Sequence, residues 1–180
     1  MKRIESVTIK KLYDESPDTS YIGEFTDTLE EGVIIRATGE YYNPSQEDQE
    51  IPDRGRECRF FKPYAGGEKP GSKDYEKYGL QDYKRMEALN QGDFCFLGIR
   101  AEAVTARSTD GKTWKMDKIT SGGLWGIESD SGDSYLLEEA KSQLNELRGT
   151  LKEYGFTPKA ITAAFRGALD TFSDSDITGG

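Results

Sequence analysis

Twelve carboxylates fall between Asp14 and Asp53 against a single base, Arg36, so this window carries a net charge of −11. The other 140 residues sum to +2, which makes the chain's overall −9 a local property. A concentrated field of one sign can be read by a partner of the opposite sign. The candidate partner-contacting residues are Asp14, Glu15, Asp18, Glu24, Asp27, Glu30, Glu31, Glu47, Asp48 and Glu50. They could stand in for the phosphates of a duplex, which offers one negative charge per about 1.7 Å of axis. They could also be solvated surface that keeps the chain in solution. The near-exclusion of Lys and Arg favours the partner reading, because ordinary surfaces mix signs.

Catalytic chemistry is poorly supplied. There is no histidine, which removes the commonest general base and the commonest zinc ligand and with them the Ser-His and Cys-His nucleophile systems. Two cysteines without histidine cannot close an ordinary four-ligand zinc site. Cys58 and Cys95 read as buried thiols in a reducing compartment. An enzyme built from this chain would have to use carboxylates, lysine or tyrosine. No cofactor, metal or catalytic residue is expected.

Three further clusters carry possible chemistry. Ser121-Gly122-Gly123-Leu124-Trp125-Gly126 has the glycines of a phosphate loop, with Gly122, Gly123 and Trp125 as candidate ligand-binding residues, but a strand-like segment follows where a helix N-terminus and lysine are needed. A bulge or tight bend giving Trp125 room to pack explains the same glycines. Glu128, Asp130 and Asp133 gather carboxylates as a calcium or magnesium loop would, yet lack EF-hand spacing; helix capping explains them too. Arg54, Arg56, Arg59 and Lys62, with Phe60 and Phe61 among them, resemble a nucleic-acid stripe. The alternative is an internal complement to the acidic loop upstream, and direct nucleic-acid binding by the protein is not expected.

The elements that must position these residues follow from periodicity. Val7 to Leu12 alternates as a first strand. Val33 to Tyr41 is β-branched at its start and reads as a strand inside the acidic window. Residues 43–56 read as a long loop, and Cys58 to Lys62 as a short strand ending at Pro63. Ser72 can cap a helix carrying Tyr75, Tyr78, Tyr83, Met86 and Leu89 until Gly92. Phe94 to Arg107 alternates, with Cys95, Leu97, Ile99, Ala101 and Ala103 on one face. Asp110-Gly111 signals a tight primed turn into a return strand, Thr113 to Thr120, and Leu124 to Glu128 extends the meander. Leu137, Ala140, Leu144, Leu147, Leu151 and Tyr154 form one helical stripe. Asp133 or Ser131 can cap that helix, and Gly155 ends it. Lys159 to Phe172 predicts a last short helix. The order predicts an α+β fold, an antiparallel meander with two to three helices packed on one face. The expected organisation is a single domain over 1–172, acidic at 14–53, with a flexible tail at 173–180.

Three stretches carry a resemblance: Cys58-Arg59-Phe60-Phe61-Lys62-Pro63, the run from Gln81 through Ala103, and the segment from Ile119 containing Gly-Gly-Leu-Trp-Gly-Ile-Glu-Ser-Asp-Ser ahead of the leucine-striped helix. Together, over residues 58 to 156, they are similar to a family of small uncharacterised proteins of bacteriophages and mobile elements. The family brings no established activity. It implies a phage-like setting, in which small acidic proteins inhibit host defence. The expectation is therefore a non-enzymatic, cytoplasmic binding protein acting as a DNA mimic. Its partner would be a basic host protein, such as a CRISPR effector or restriction enzyme, and an anti-CRISPR role falls within that class. Two alternatives stand beside it: a sponge-like binder of small ligands or nucleotides at Gly122, Gly123 and Trp125, and a magnesium-dependent carboxylate enzyme using Glu128, Asp130 and Asp133. No apolar run approaches the roughly 18 residues of a membrane span, and no signal-peptide core follows Met1-Lys2-Arg3.

Overall fold

The computed structural model describes residues 1–37, 58–170, 172 and 177–178. In chain order they form β1 (Lys2–Tyr13), β2 (Gly23–Thr26), β3 (Ile34–Ile35), β4 (Phe60–Pro63), a 3-10 turn (Ala65–Gly67) and α1 (Lys73–Gln91). There follow β5 (Phe96–Arg107), β6 (Lys115–Thr120), β7 (Leu124–Glu128), α2 (Asp133–Glu153), α3 (Pro158–Ala164) and β8 (Ile177–Thr178). This is the expected α+β fold, with antiparallel pairing dominant. The chain divides into two compact units, Met1–Glu15 with Phe96–Gly180, and Ser16–Cys95. The second unit is thus an insertion between β1 and β5, a division that composition along 1–172 does not mark.

In the first unit β5 is the central strand. It pairs antiparallel with β1 from Lys2↔Arg107 to Tyr13↔Leu97. On its other side it meets β6 over residues 102–107 and β7 over residues 96–99. Alternation along β5 puts Leu97, Ile99, Ala101 and Ala103 into one apolar core with Val7, Ile9, Ile119 and Ile127. Leu136, Ala140, Leu144, Leu147 and Leu151 of α2 and Ile161 of α3 join the same core, so both helices cover one face of the sheet. Small residues at Ala101, Ala103 and Ala140, each fully buried, leave room for close approach.

Several sequence expectations are corrected here. The stripe of α2 starts at Leu136 rather than Leu137, which is 36% exposed, because Leu136 keeps the four-residue step to Ala140. Tyr154 is the C-cap and is exposed, its carbonyl taking the Lys2 ammonium at 2.7 Å. Gly132 is the N-cap, and neither Asp133 nor Ser131 caps through a side chain. Gly155 does adopt φ 80, and the Phe156 N–H donates to the Leu151 carbonyl as in a Schellman end. Asp110-Gly111 lies between antiparallel strands but is not a tight primed turn, since only Gly111 has positive φ. The connection runs from Ser108 to Trp114, and the Asp110 carboxylate organises it by accepting from the N–H groups of Lys112 and Thr113, both at 2.9 Å. The last helix is shorter than expected, ending at Ala164. Ile177–Thr178 pairs in parallel with Lys11–Leu12 where a flexible tail was expected.

The second unit has a small sheet of order β2-β4-β3 packed with α1. Ser72 caps α1 as its sequence predicts, accepting from the Tyr75 N–H at 3.0 Å, and Gly92 ends it at φ 79. Phe61, with no exposed surface, is the hub of this unit, edge-on to Phe25 and tilted against Tyr83. The strand expected from Val33 to Tyr41 is regular only at Ile34–Ile35, and its residues beyond Ala37 lie outside the described set. So do the 43–56 loop, Arg54 and Arg56.

Candidate functional site

The acidic segment is held to its unit by a few specific polar contacts. Arg36, the window's one base, is drawn inside: its side chain has no exposed surface, and its guanidinium forms an ion pair with Glu87 of α1. Nε donates to Glu87 Oε1, Nη2 to Oε2 at 2.9 Å, and Nη1 to the Cys58 carbonyl at 2.7 Å. Asn90 Nδ2 adds a bond to Glu87 Oε2 at 3.2 Å, and the Phe25 ring lies 4.2 Å from the Arg36 carbon. This planar, two-pronged geometry is what lets a guanidinium and carboxylate be buried together.

A further contact fixes the loop before β3. The buried Tyr75 hydroxyl donates to the Gly32 carbonyl at 2.8 Å, and burial pushes its pKa up. Gly32 has φ 84, and a Cβ there would stand 2.5 Å from that hydroxyl, so only glycine fits. Gly23 is equally constrained, with the Phe61 ring 2.6 Å from where its Cβ would be. On the other side of β4, the Ala65 N–H donates to Asp82 at 2.6 Å, which holds Ala65 at the left-handed φ of 51.

On this framework Asp18, Glu24, Asp27, Glu30 and Glu31 are all exposed. Glu30 pairs with Lys62 at 3.0 Å, and that hydrogen bond and charge raise the Lys62 pKa. Glu24 sits opposite Lys62 in the β2–β4 register. Lys62 therefore complements the acidic loop, as the internal-pairing reading of the 54–62 stripe expected. Asp18 accepts from Ser20, which lowers its pKa. Glu24, Asp27 and Glu31 have no ion-pair partner among the described residues. Leu29 and Ile35 stand among them at 70% and 71% exposure, a mixed acidic and apolar surface. Of the other candidates, Asp14 and Glu15 belong to the first unit. Asp14 is half-buried and accepts from the Gly126 N–H at 2.9 Å, a structural commitment that its sequence context does not signal. Glu47, Asp48 and Glu50 lie outside the described residues.

The glycine segment forms a bend at the edge of the larger sheet. The Gly122 N–H donates to Glu146 at 2.7 Å and the Gly123 N–H to the buried Gln143 at 3.0 Å, so both amides are engaged by α2. The register between β5 and β7 shifts between Leu97 and Ile99, a bulge that places the Trp125 indole over Gly98. Trp125 nonetheless remains 40% exposed. Near Glu128, Asp130 and Asp133, no group of three or more His, Cys, Asp or Glu side chains that could hold a metal occurs among the described residues. No described helix is long and apolar enough to cross a membrane. No known family model, curated protein or solved structure matches this chain.

Sequence reasoning missed Glu87 and Tyr75 as the residues that place the acidic backbone, and Asp82 as the residue that holds Ala65 after β4. Their signal was faint: a polar or acidic residue on the apolar side of a predicted helix.

Proposed function

We propose that this chain is a non-enzymatic binding protein whose Ser16–Cys95 unit docks its acidic segment onto a basic surface of a nucleic-acid-binding protein. The observation that carries this reading is the burial of Arg36 against Glu87. It removes the only cation of the window from the surface, leaving the exposed Glu24, Asp27 and Glu31 without a base of their own segment beside them. Leu29 and Ile35 supply apolar area that a protein partner can bury. Bare electrostatic steering would not need them. The phage-family resemblance makes a host defence effector the partner class to try first.

The test uses a triple variant, Glu24→Lys, Asp27→Lys and Glu31→Lys, against immobilised restriction endonucleases and RNA-guided nucleases. Binding by the parent is expected to weaken severely in the variant, with a shallower salt dependence and an unchanged circular dichroism spectrum. A control with Asp133, Glu138 and Glu153 changed to lysine carries the same charge swing on α2 and is expected to bind nearly as the parent. Equal losses in the two variants would reduce the effect to net charge. Unchanged binding in the first variant would end the docking reading.

A further inference from the structure

The face of the larger sheet opposite α2 and α3 carries a different chemistry. Glu102, only 4% exposed on β5, receives three cations: Lys10 at 2.7 Å, Arg100 at 2.9 Å and Lys118 at 3.4 Å. Burial raises the Glu102 pKa, but the hydrogen bonds from Lys10 and Arg100 outweigh it, so the carboxylate stays charged into the acid range. Three cations against one carboxylate leave a surplus of positive charge. Lys10, Arg100 and Lys118 keep 41%, 29% and 57% of their side chains exposed. The buried carboxylate thus gathers cations that would otherwise repel one another and presents them to solvent as a group.

Next along the same face lies Trp125. Its Cδ2 and Cζ3 are each 2.6 Å from where a Cβ of Gly98 would stand, so the ring rests directly on the Gly98 backbone. Gly123, at φ 81, brackets its Nε1 edge. Asp14 holds the adjoining Gly126, at φ 75, through the amide bond described above. The indole is therefore fixed by one face and its edge while the residue keeps 40% exposure. Gly98, Arg100 and Glu102 are alternate residues of one strand, so their backbones step by about 7 Å, and Arg100, whose guanidinium is bonded to Glu102, stands between the indole and the rest of the cluster.

A fixed, exposed aromatic beside a cluster of three cations gathered on one carboxylate fits a ligand with a flat ring and adjoining phosphates. We propose that this face binds single-stranded nucleic acid, one base stacking on Trp125 while the cluster of Arg100, Lys10 and Lys118 takes the adjoining phosphate backbone. Stacking tolerates any base, because every base has a π face, so little sequence preference is expected. The residues of this site belong to the first unit, and none of them is in the 54–62 stripe. The site does not depend on the docking reading.

The experiment measures anisotropy of labelled oligo-dT and oligo-rU on the full chain, with emission followed in a Trp114→Phe background that leaves Trp125 as the reporter. Binding at low salt with quenched emission is expected. Trp125→Ala should weaken binding about 10-fold or more, and Trp125→Phe should retain most of it. Lys118→Ala, at an exposed position that leaves the fold intact, should weaken binding and reduce the salt slope by about one. The Glu24, Asp27 and Glu31 triple variant should bind oligonucleotide at least as well as the parent. Absence of binding by the parent at low salt overturns the proposal. Equal binding by parent and Trp125→Ala, or a preference for duplex, also overturns it. Quenching by a free mononucleotide or cyclic dinucleotide without oligonucleotide binding overturns it as well, by assigning the ring to a small-ligand site.

Discussion

The sheet unit and the Ser16–Cys95 unit solve the same problem, holding a charged surface on a fixed backbone, with different interactions. In the first, α2 and α3 lie on an apolar layer from Val7 to Phe172, and long strands set side-chain direction by alternation except at the register shifts of β1 and of β5 with β7. In the second, strands of two to four residues give little alternation, and position is set by Arg36–Glu87, Tyr75–Gly32 and Asp82–Ala65. The charges differ accordingly. Glu102 is buried to collect cations, whereas Arg36 is buried so that anions remain outside. A single buried ion of either sign can therefore decide the sign of the surface around it.

The sharpest way to break this contrast is Arg36→Ala, which leaves Glu87 buried and uncompensated. It is expected to cost about 3–5 kcal/mol. Hydrogen exchange should quicken in α1 and β4 while α2 and β5 stay protected. The double change Arg36→Met with Glu87→Leu should restore most of the loss. Equal quickening in both units would mean that the molecule unfolds as one body and that the contrast has no energetic content.

On the other side, Leu147→Ala removes a side chain with no exposed surface. A loss of about 2–5 kcal/mol is expected, read as a shift in the denaturant midpoint. The effect should be insensitive to salt. A salt-dependent loss would show that the sheet unit, too, relies on its charges.

The smallest effect sharpens the picture of the Ser108–Trp114 loop. Bonds from the Thr113 and Lys112 N–H groups, with a further one from Ser108, lower the Asp110 pKa to about 2 from 3.8. Because the folded pKa is depressed, the contribution is present above pH 3.8 and fades as pH falls toward 2. NMR titration of the Asp110 carboxyl, followed at the Thr113 amide, should give that midpoint. A midpoint near 3.8 would show that the loop is not organised by this side chain.

What could be read from sequence follows the same division. Ser72 and Gly92 bound α1 correctly, and Leu124 to Glu128 was placed to the residue, because caps and alternation are local signals. Leu136 was exchanged for Leu137 because adjacent leucines fit a helical stripe almost equally until the facing residues are known. The turn at Asp110 was misjudged because Asp-Gly serves both a primed turn and a side-chain-stabilised loop. The ion pair of Arg36 and Glu87 joins residues 51 positions apart, and no local pattern announces it. The acidic candidates were visible as a charge run, but composition could not separate Asp14, which holds Gly126, from the freely presented Glu24 and Glu31. The cations around Glu102 come from three strands and became a group only through register.

The insertion of Ser16–Cys95 also has a consequence in time. The Asp14 N–H donates to the Phe96 carbonyl at 3.1 Å, so the chain leaves β1 and rejoins it at the same point after about 80 residues. At ribosomal rates of about 5–20 residues per second, β1 waits roughly 4–16 s before β5 begins to emerge. Throughout that interval Val7, Ile9 and Leu12 lack their native neighbour strand, while the inserted unit is synthesised in full. Lys2, Arg3, Lys10 and Lys11 along the waiting strand are the kind of residues that discourage edge-to-edge pairing with other nascent chains. Charge on β1 thus opposes mispairing in the interval before the central strand is made.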